Sequence, residues 1–160
     1  MKFKCYDVVE IQGKRYVVTE VISYQEFIIE KTVNYTLNDE MYNNELGTHK
    51  GAKNWTEYGL MPVDGEDKKW LTIVNGEKDY CTFSETILRS TPPKGYKLYD
   101  KGLQRVMSVN GESKARSGDK ADYKEYRTIK NDKTYVFFME DWHGGLKDQA
   151  QGERIRLSDV

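Results

Sequence analysis

Trp55-Thr56-Glu57-Tyr58, followed by a turn and then Trp70-Leu71-Thr72-Ile73-Val74, decides the reading of this chain, because a weaker copy follows it. The copy is Tyr123-Lys124-Glu125-Tyr126, a turn, and Tyr135-Val136-Phe137-Phe138-Met139. The first aromatic block is displaced by about 68 residues and the second by about 65, as a turn shortened by about three residues would give; self-similarity of this kind marks a repeated supersecondary unit. Both copies are dense in β-branched and aromatic side chains, which suit a pleated, half-buried surface. Alternation dominates elsewhere too, and a helical period is hard to find. The expectation is an all-β fold: antiparallel strands in two related β-meander units forming a rolled sheet, a sandwich or a partly open barrel, with little helix.

On the N-terminal side, Phe3 to Val9, Lys14 to Ser23 and Glu26 to Leu37 read as three strands. Gln12-Gly13 supplies a tight turn between the first two, and Tyr24-Gln25 a bend between the second and third. From Asn38 to Lys53 the alternation fails, and a long mobile loop is expected. Trp55 to Val63 and Lys69 to Val74 flank Asp64-Gly65. Asn75-Gly76 then leads into Asp79 to Phe83, because both residues tolerate the positive φ of a type I′ turn. Ser84 to Arg89 suggests one short helical turn. Ser90-Thr91-Pro92-Pro93-Lys94-Gly95 breaks regular structure, since proline gives a ladder no donor. The organisation is therefore a first β unit over 1–90, a Pro/Gly linker over 91–95 and a second β unit over 96–160, within one compact body. In the second unit Tyr96 to Val109 ends at Asn110-Gly111, and Glu112 to Ala121 is a polar loop. The strands Asp122 to Lys130, Thr134 to Met139 and Arg154 to Leu157 follow.

The 160 residues carry 25 Lys and Arg against 26 Asp and Glu, so no global field draws the chain to nucleic acid or an anionic membrane. The start, Met1-Lys2-Phe3-Lys4-Cys5-Tyr6-Asp7, has no apolar leader, and no run approaches the roughly 18 apolar residues that cross a bilayer. A cytoplasmic location without membrane insertion is expected, with Cys5 and Cys81 as reduced thiols.

The block Trp55-x-x-Tyr58-x-Leu60, the Trp70-Leu71 strand and their copies at Tyr123-x-x-Tyr126 and Tyr135-Val136 together resemble the bacterial family catalogued as domain of unknown function 4178. The resemblance covers most of the chain. It implies an all-β fold in a bacterial or phage-related protein, and no biochemical activity or catalytic residue.

The strongest polar cluster is Glu140-Asp141-Trp142-His143-Gly144-Gly145. A hydrolase would use His143 as general base and a carboxylate to orient it. On a strand, Asp141 and His143 share a side that Glu140 does not. Turn chemistry also accounts for acidic residues beside glycines. No metal is expected, because His49 and His143 lie far apart and outside any zinc-ligand spacing. No cofactor is expected either: phosphate loops and nucleophile elbows are missing. Cys81 reads as a small buried hydrophobe.

The candidate binding residues are the aromatics Trp55, Tyr58, Trp70, Tyr126, Tyr135 and Trp142, since amphipathic rings serve both cores and interfaces. The leading expectation is a non-catalytic module that recognises a protein partner through an aromatic-bearing β surface or sheet edge. A small hydrolase or nuclease-like enzyme centred on Asp141 and His143 is the alternative. A nucleic-acid binder using Lys120 to Lys133 is the third, disfavoured because Asp119, Asp122, Glu125 and Asp132 cancel its field.

Overall fold

The computed structural model describes residues 2–37, 40–48 and 53–160, with side chains described for 2–27 and 53–160. Among the described residues ten strands follow one another: β1 (Val8–Ile11), β2 (Lys14–Leu37), β3 (Glu40–Thr48), β4 (Asn54–Pro62), β5 (Lys69–Val74), β6 (Tyr80–Thr86), β7 (Lys97–Gly111), β8 (Lys120–Lys130), β9 (Lys133–Trp142) and β10 (Lys147–Arg156). A 3-10 turn, Leu157–Asp159, follows β10. Among the described residues no helix is long and apolar enough to cross a membrane.

Every pairing is antiparallel, in the order β2-β4-β5-β6-β10-β9-β8-β7, and β7 pairs back onto β2. Eight strands thus form a closed barrel, which leaves those strands no free edge. Of the rolled sheet, sandwich or partly open barrel that alternation allowed, a barrel forms, and it is closed. Two seams close it. β6 meets β10 from Tyr80↔Arg156 to Thr86↔Ala150, and β2 meets β7 from Glu20↔Gly111 to Phe27↔Leu103. The connection between β6 and β7, which holds Pro92 and Pro93, carries the chain from one seam to the other. β1 pairs with the first residues of β2 and β3 with its last, beyond the barrel wall.

Four local expectations change. β2 is one strand of 24 residues with no bend at Tyr24-Gln25. That dipeptide offers no glycine or proline to stop a ladder, and Tyr24 and Gln25 pair with both β4 and β7. Within the expected 38–53 loop, Glu40–Thr48 is a strand on β2; residues 38, 39 and 49–52, including His49, lie outside the described residues. The expected helical turn over Ser84 to Arg89 is the end of β6 followed by irregular chain. At Asn75-Gly76 only Gly76 is left-handed, at φ 88°, so the turn is not type I′. The type I′ geometry occurs at Gln12-Gly13 (φ 52° and 78°) and at Asn131-Asp132 (φ 51° and 61°).

The larger apolar core lies on the outside of the barrel, and a smaller cluster of Ile22, Tyr24 and Val106, with Trp55, Trp70 and Trp142 packed against it, lies on the lumen side. Tyr58 and Leu60 of β4, Leu71 and Ile73 of β5, Cys81 and Phe83 of β6 and Ile155 of β10 face away from the lumen. They pack with Val9 and Ile11 of β1, Tyr16 and Val18 of β2, and Leu157. A bulge at Thr19 makes this possible: Val18 pairs with Leu60 outside, and Glu20 pairs with Gly59 inside. A bulge inserts one residue and so switches the face that later side chains occupy. Beyond it, Glu20, Ile22 and Tyr24 point into the barrel. Cys5 and Cys81 are both free thiols.

Candidate functional site: the barrel lumen

Inward side chains of all eight barrel strands surround a cavity of about 1130 Å³. An eight-stranded barrel has an interior about wide enough to be filled by side chains or to hold one small ligand. Here it is left open. Its mouth is bounded by the β7–β8 loop, with Ser113, Lys114 and Ala115, and by the β9–β10 turn, with His143, Gly144 and Leu146.

Alternation along two strands gives the lumen its chemistry. Trp55 and Glu57 are two residues apart on β4, as are Glu140 and Trp142 on β9, so ring and carboxylate face inward together. Trp55 stacks on Tyr24 (centroids 5.7 Å apart, interplanar angle 15°) and meets the edge of Tyr123 at 5.6 Å. Trp142 lies 6.5 Å from the same Tyr24 ring. Trp70 is further along, with the Lys68 ammonium 4.3 Å from its ring centroid and its indole donating to Thr86 Oγ1 at 3.2 Å. Two glycines make room. A Cβ on Gly59 would come within 2.5 Å of Glu20 Cγ, and one on Gly102 within 3.1 Å of the Tyr123 ring.

Two groups of charges stand out among those lining the cavity. In the first, each cation has an acid: Arg127 with Glu125 at 2.5 Å, Lys53 with Asp100 at 2.8 Å, and Arg154 with Glu77. Arg154 also donates to Thr82 Oγ1 at 2.9 Å, and Tyr123 donates its hydroxyl to Asp100 at 3.3 Å. The second group holds four carboxylates, Glu20, Glu57, Glu140 and Asp148, with Lys68 as its one cation among the described residues. Lys68 is paired with Glu20. Glu140 accepts from Gln104 Nε2 at 3.0 Å and stands directly across from Asp148, which accepts from Trp142 Nε1 at 3.1 Å.

Glu57 and Glu140 are half-buried by exposed area, their open surface turned to the lumen, and protein surrounds both carboxyl groups. Desolvation disfavours their charged forms. Burial, reinforced by the charges of Glu140 and Glu20 against that of Lys68, pushes the Glu57 carboxyl well above the usual range. Burial and Asp148 push Glu140 up to about 7, against the Gln104 hydrogen bond. Burial raises the Tyr24 hydroxyl as well. Among the described residues no three His, Cys, Asp or Glu side chains are arranged to hold a metal ion.

The structure divides the acidic cluster read from the sequence. Glu140 lies inside the lumen, Asp141 is exposed opposite Asp122 and Lys147 on the outer face, and His143 sits at the mouth. The His143 ring pairs with the exposed Asp122 at 3.3 Å, so the three groups do not converge on one reacting atom. Gly144 and Gly145, at φ 136° and 101°, form the turn between β9 and β10. The six aromatics separate as well. Trp55, Trp70 and Trp142 line the lumen, Tyr58 is buried in the outer core, and Tyr126 and Tyr135 lie half-buried on the outer face.

Sequence reasoning missed Glu20, Tyr24, Glu57, Lys68, Gln104 and Asp148. The available signal was the spacing Trp-x-Glu at 55–57 and Glu-x-Trp at 140–142, which puts an acid on whichever face its tryptophan occupies.

No curated protein and no solved structure gives a significant match to the chain. Residues 5–157, nearly the whole chain, match one family model. The chain that folds into this acid- and tryptophan-lined barrel belongs to the family described as Domain of unknown function (DUF4178).

Proposed function

We propose that this chain is a non-catalytic binding protein that holds a small molecule inside its barrel. One observation carries the reading: all three tryptophans of the chain face a single open cavity of about 1130 Å³. Ligand sites of drug-sized molecules occupy roughly 300–1,000 Å³ and combine aromatic walls with a few placed polar groups. The lumen has both. Three of the six aromatic residues read from the sequence as a partner-binding surface, Trp55, Trp70 and Trp142, form interior walls in this reading. The Asp141–His143 pair supports no reaction at this site, because Asp141 lies on the other side of the barrel wall.

Native mass spectrometry of the protein, purified without denaturation and equilibrated with a metabolite extract of its host, tests the reading. The wild type is expected to carry a bound small molecule. A Thr72→Trp variant, which adds an indole to the lumen between Glu57 and Thr82, is expected to carry none while keeping the wild-type circular dichroism. A wild-type protein that takes up nothing, or a folded filled variant that binds as well as wild type, contradicts it.

A further inference from the structure

One of the lumen's own cations lies over a tryptophan, and the way it is held is informative. The Lys68 ammonium is paired with the Glu20 carboxylate and lies over the Trp70 ring, 4.3 Å from its centroid. A cation over an indole face gains from the ring quadrupole, most of all where water is displaced. The same two kinds of group recur twice in the lumen without a lysine or arginine on them. These are Trp55 with Glu57 on β4, and Trp142 with Glu140 on β9. Among the described residues neither carboxylate has an ion pair. Glu140 has the Gln104 amide, and among the described residues Glu57 has no hydrogen bond and turns its open surface to the lumen. A partly desolvated charge without a partner is costly, and a bound counter-charge offsets that cost.

Resting on the reading that the lumen binds a small molecule, we propose that its occupant is an organic ammonium ion, seated against Tyr24, Trp55 and Trp142 with Glu57 and Glu140 as counter-charges. The aromatic wall favours an ammonium that carries carbon over a bare metal ion. The carboxylates favour a cation over a neutral molecule of the same shape. A neutral occupant would leave both acids without a counter-charge.

Because Glu140 titrates near neutrality, affinity for a permanently charged ligand depends on pH. The groups facing Glu140 are Glu20 and Tyr24 of β2, Glu57 of β4, Tyr123 of β8 and Asp148 of β10, with the neutral Gln104 of β7; Lys68 acts through Glu20 and Glu57. Lowering pH through about 7 protonates Glu140, removes one counter-charge and weakens binding.

The experiment titrates the protein with tetramethylammonium, choline and n-hexylammonium, and with 3,3-dimethylbutan-1-ol and n-hexanol as neutral analogues. Tryptophan emission is the readout, since every indole of the chain lines the cavity. At least one ammonium ion is expected to bind, its neutral analogue at least about tenfold more weakly, and choline affinity is expected to fall between pH 8 and pH 6. A Glu57→Gln, Glu140→Gln double variant is expected to lose about tenfold or more in ammonium affinity. Its binding of n-hexanol, which needs no counter-charge, is expected to stay the same and shows that the lumen is intact. Equal binding of charged and neutral analogues, undiminished ammonium binding by the double variant, or a response to magnesium or calcium in place of any ammonium overturns the cation proposal and leaves ligand binding standing. If no compound changes the emission and native mass spectrometry finds the lumen unoccupied, the underlying reading falls with it.

Discussion

Glu140 shows at the residue scale how a side chain is held against its own preference. Its folded-state pKa of about 7 lies above the ordinary 4.5, so between those values the folded protein binds a proton that the unfolded chain releases. Stability from this group is therefore present below pH 4.5 and lost as pH rises through 7. A Glu140→Gln variant should match wild type near pH 4.5 and exceed it at pH 8 by on the order of 2 kcal/mol, a figure reduced for the open cavity from about 1.4 kcal/mol per pKa unit. Denaturant melts at the two pH values measure the difference; a variant less stable than wild type at pH 8 contradicts the assignment. Natural proteins tolerate such destabilised groups where function uses them. Cys81 is the opposite case. Burial in the outer core raises its thiol to about 11, so at pH 8 it should resist alkylation until the protein unfolds, whereas the half-exposed Cys5 should label in the native state. Mass-spectrometric mapping of iodoacetamide adducts separates the two. That Cys81 would be buried was legible from its place between Tyr80 and Thr82; the charge state of Glu140 was not, because it depends on Asp148, Gln104 and protein brought up from other strands.

At the scale of elements, the seams decide whether a barrel exists at all. At Gly152 of β10 an added Cβ would lie 2.1 Å from the Phe83 carbonyl oxygen and 2.6 Å from Ser84 Cα. Both are backbone atoms of β6, so neither can swing aside. Gly152→Ala should cost about 2 kcal/mol or more by forcing β6 and β10 apart, read as a lowered denaturation midpoint. A change of less than about 0.5 kcal/mol would mean that the seam is looser than described. On the outer core, Ile11→Ala removes a fully buried side chain of β1 and should cost about 2–5 kcal/mol. Strand existence was readable wherever one face is apolar, as in Trp70 to Val74. β10 was read only over its last residues because its inward positions include Asp148, Ala150, Gly152 and Arg154, which give no apolar alternation. β2 was divided in two because the bulge at Thr19 and the double pairing of Tyr24 are long-range events without a local signal.

For the whole molecule, the sequence carries the class and the family but not the inversion of its interior. Alternation tells that two faces differ; it does not tell which closes on itself. The apolar set Tyr58, Leu60, Leu71, Ile73 and Phe83 would fill an ordinary barrel, yet β1 and the chain end cover it from outside. The mixed face with its tryptophans and acids is left around the cavity. The central claim is that the tryptophans look into a lumen with an excess of negative charge. Collisional quenching of tryptophan emission by caesium and by iodide, each normalised to free N-acetyltryptophanamide, tests it most directly. The account predicts that caesium quenches more than iodide at pH 8, and that the preference shrinks when pH falls below the titration of Glu140. Iodide quenching equal to or greater than that of caesium at pH 8 would contradict it.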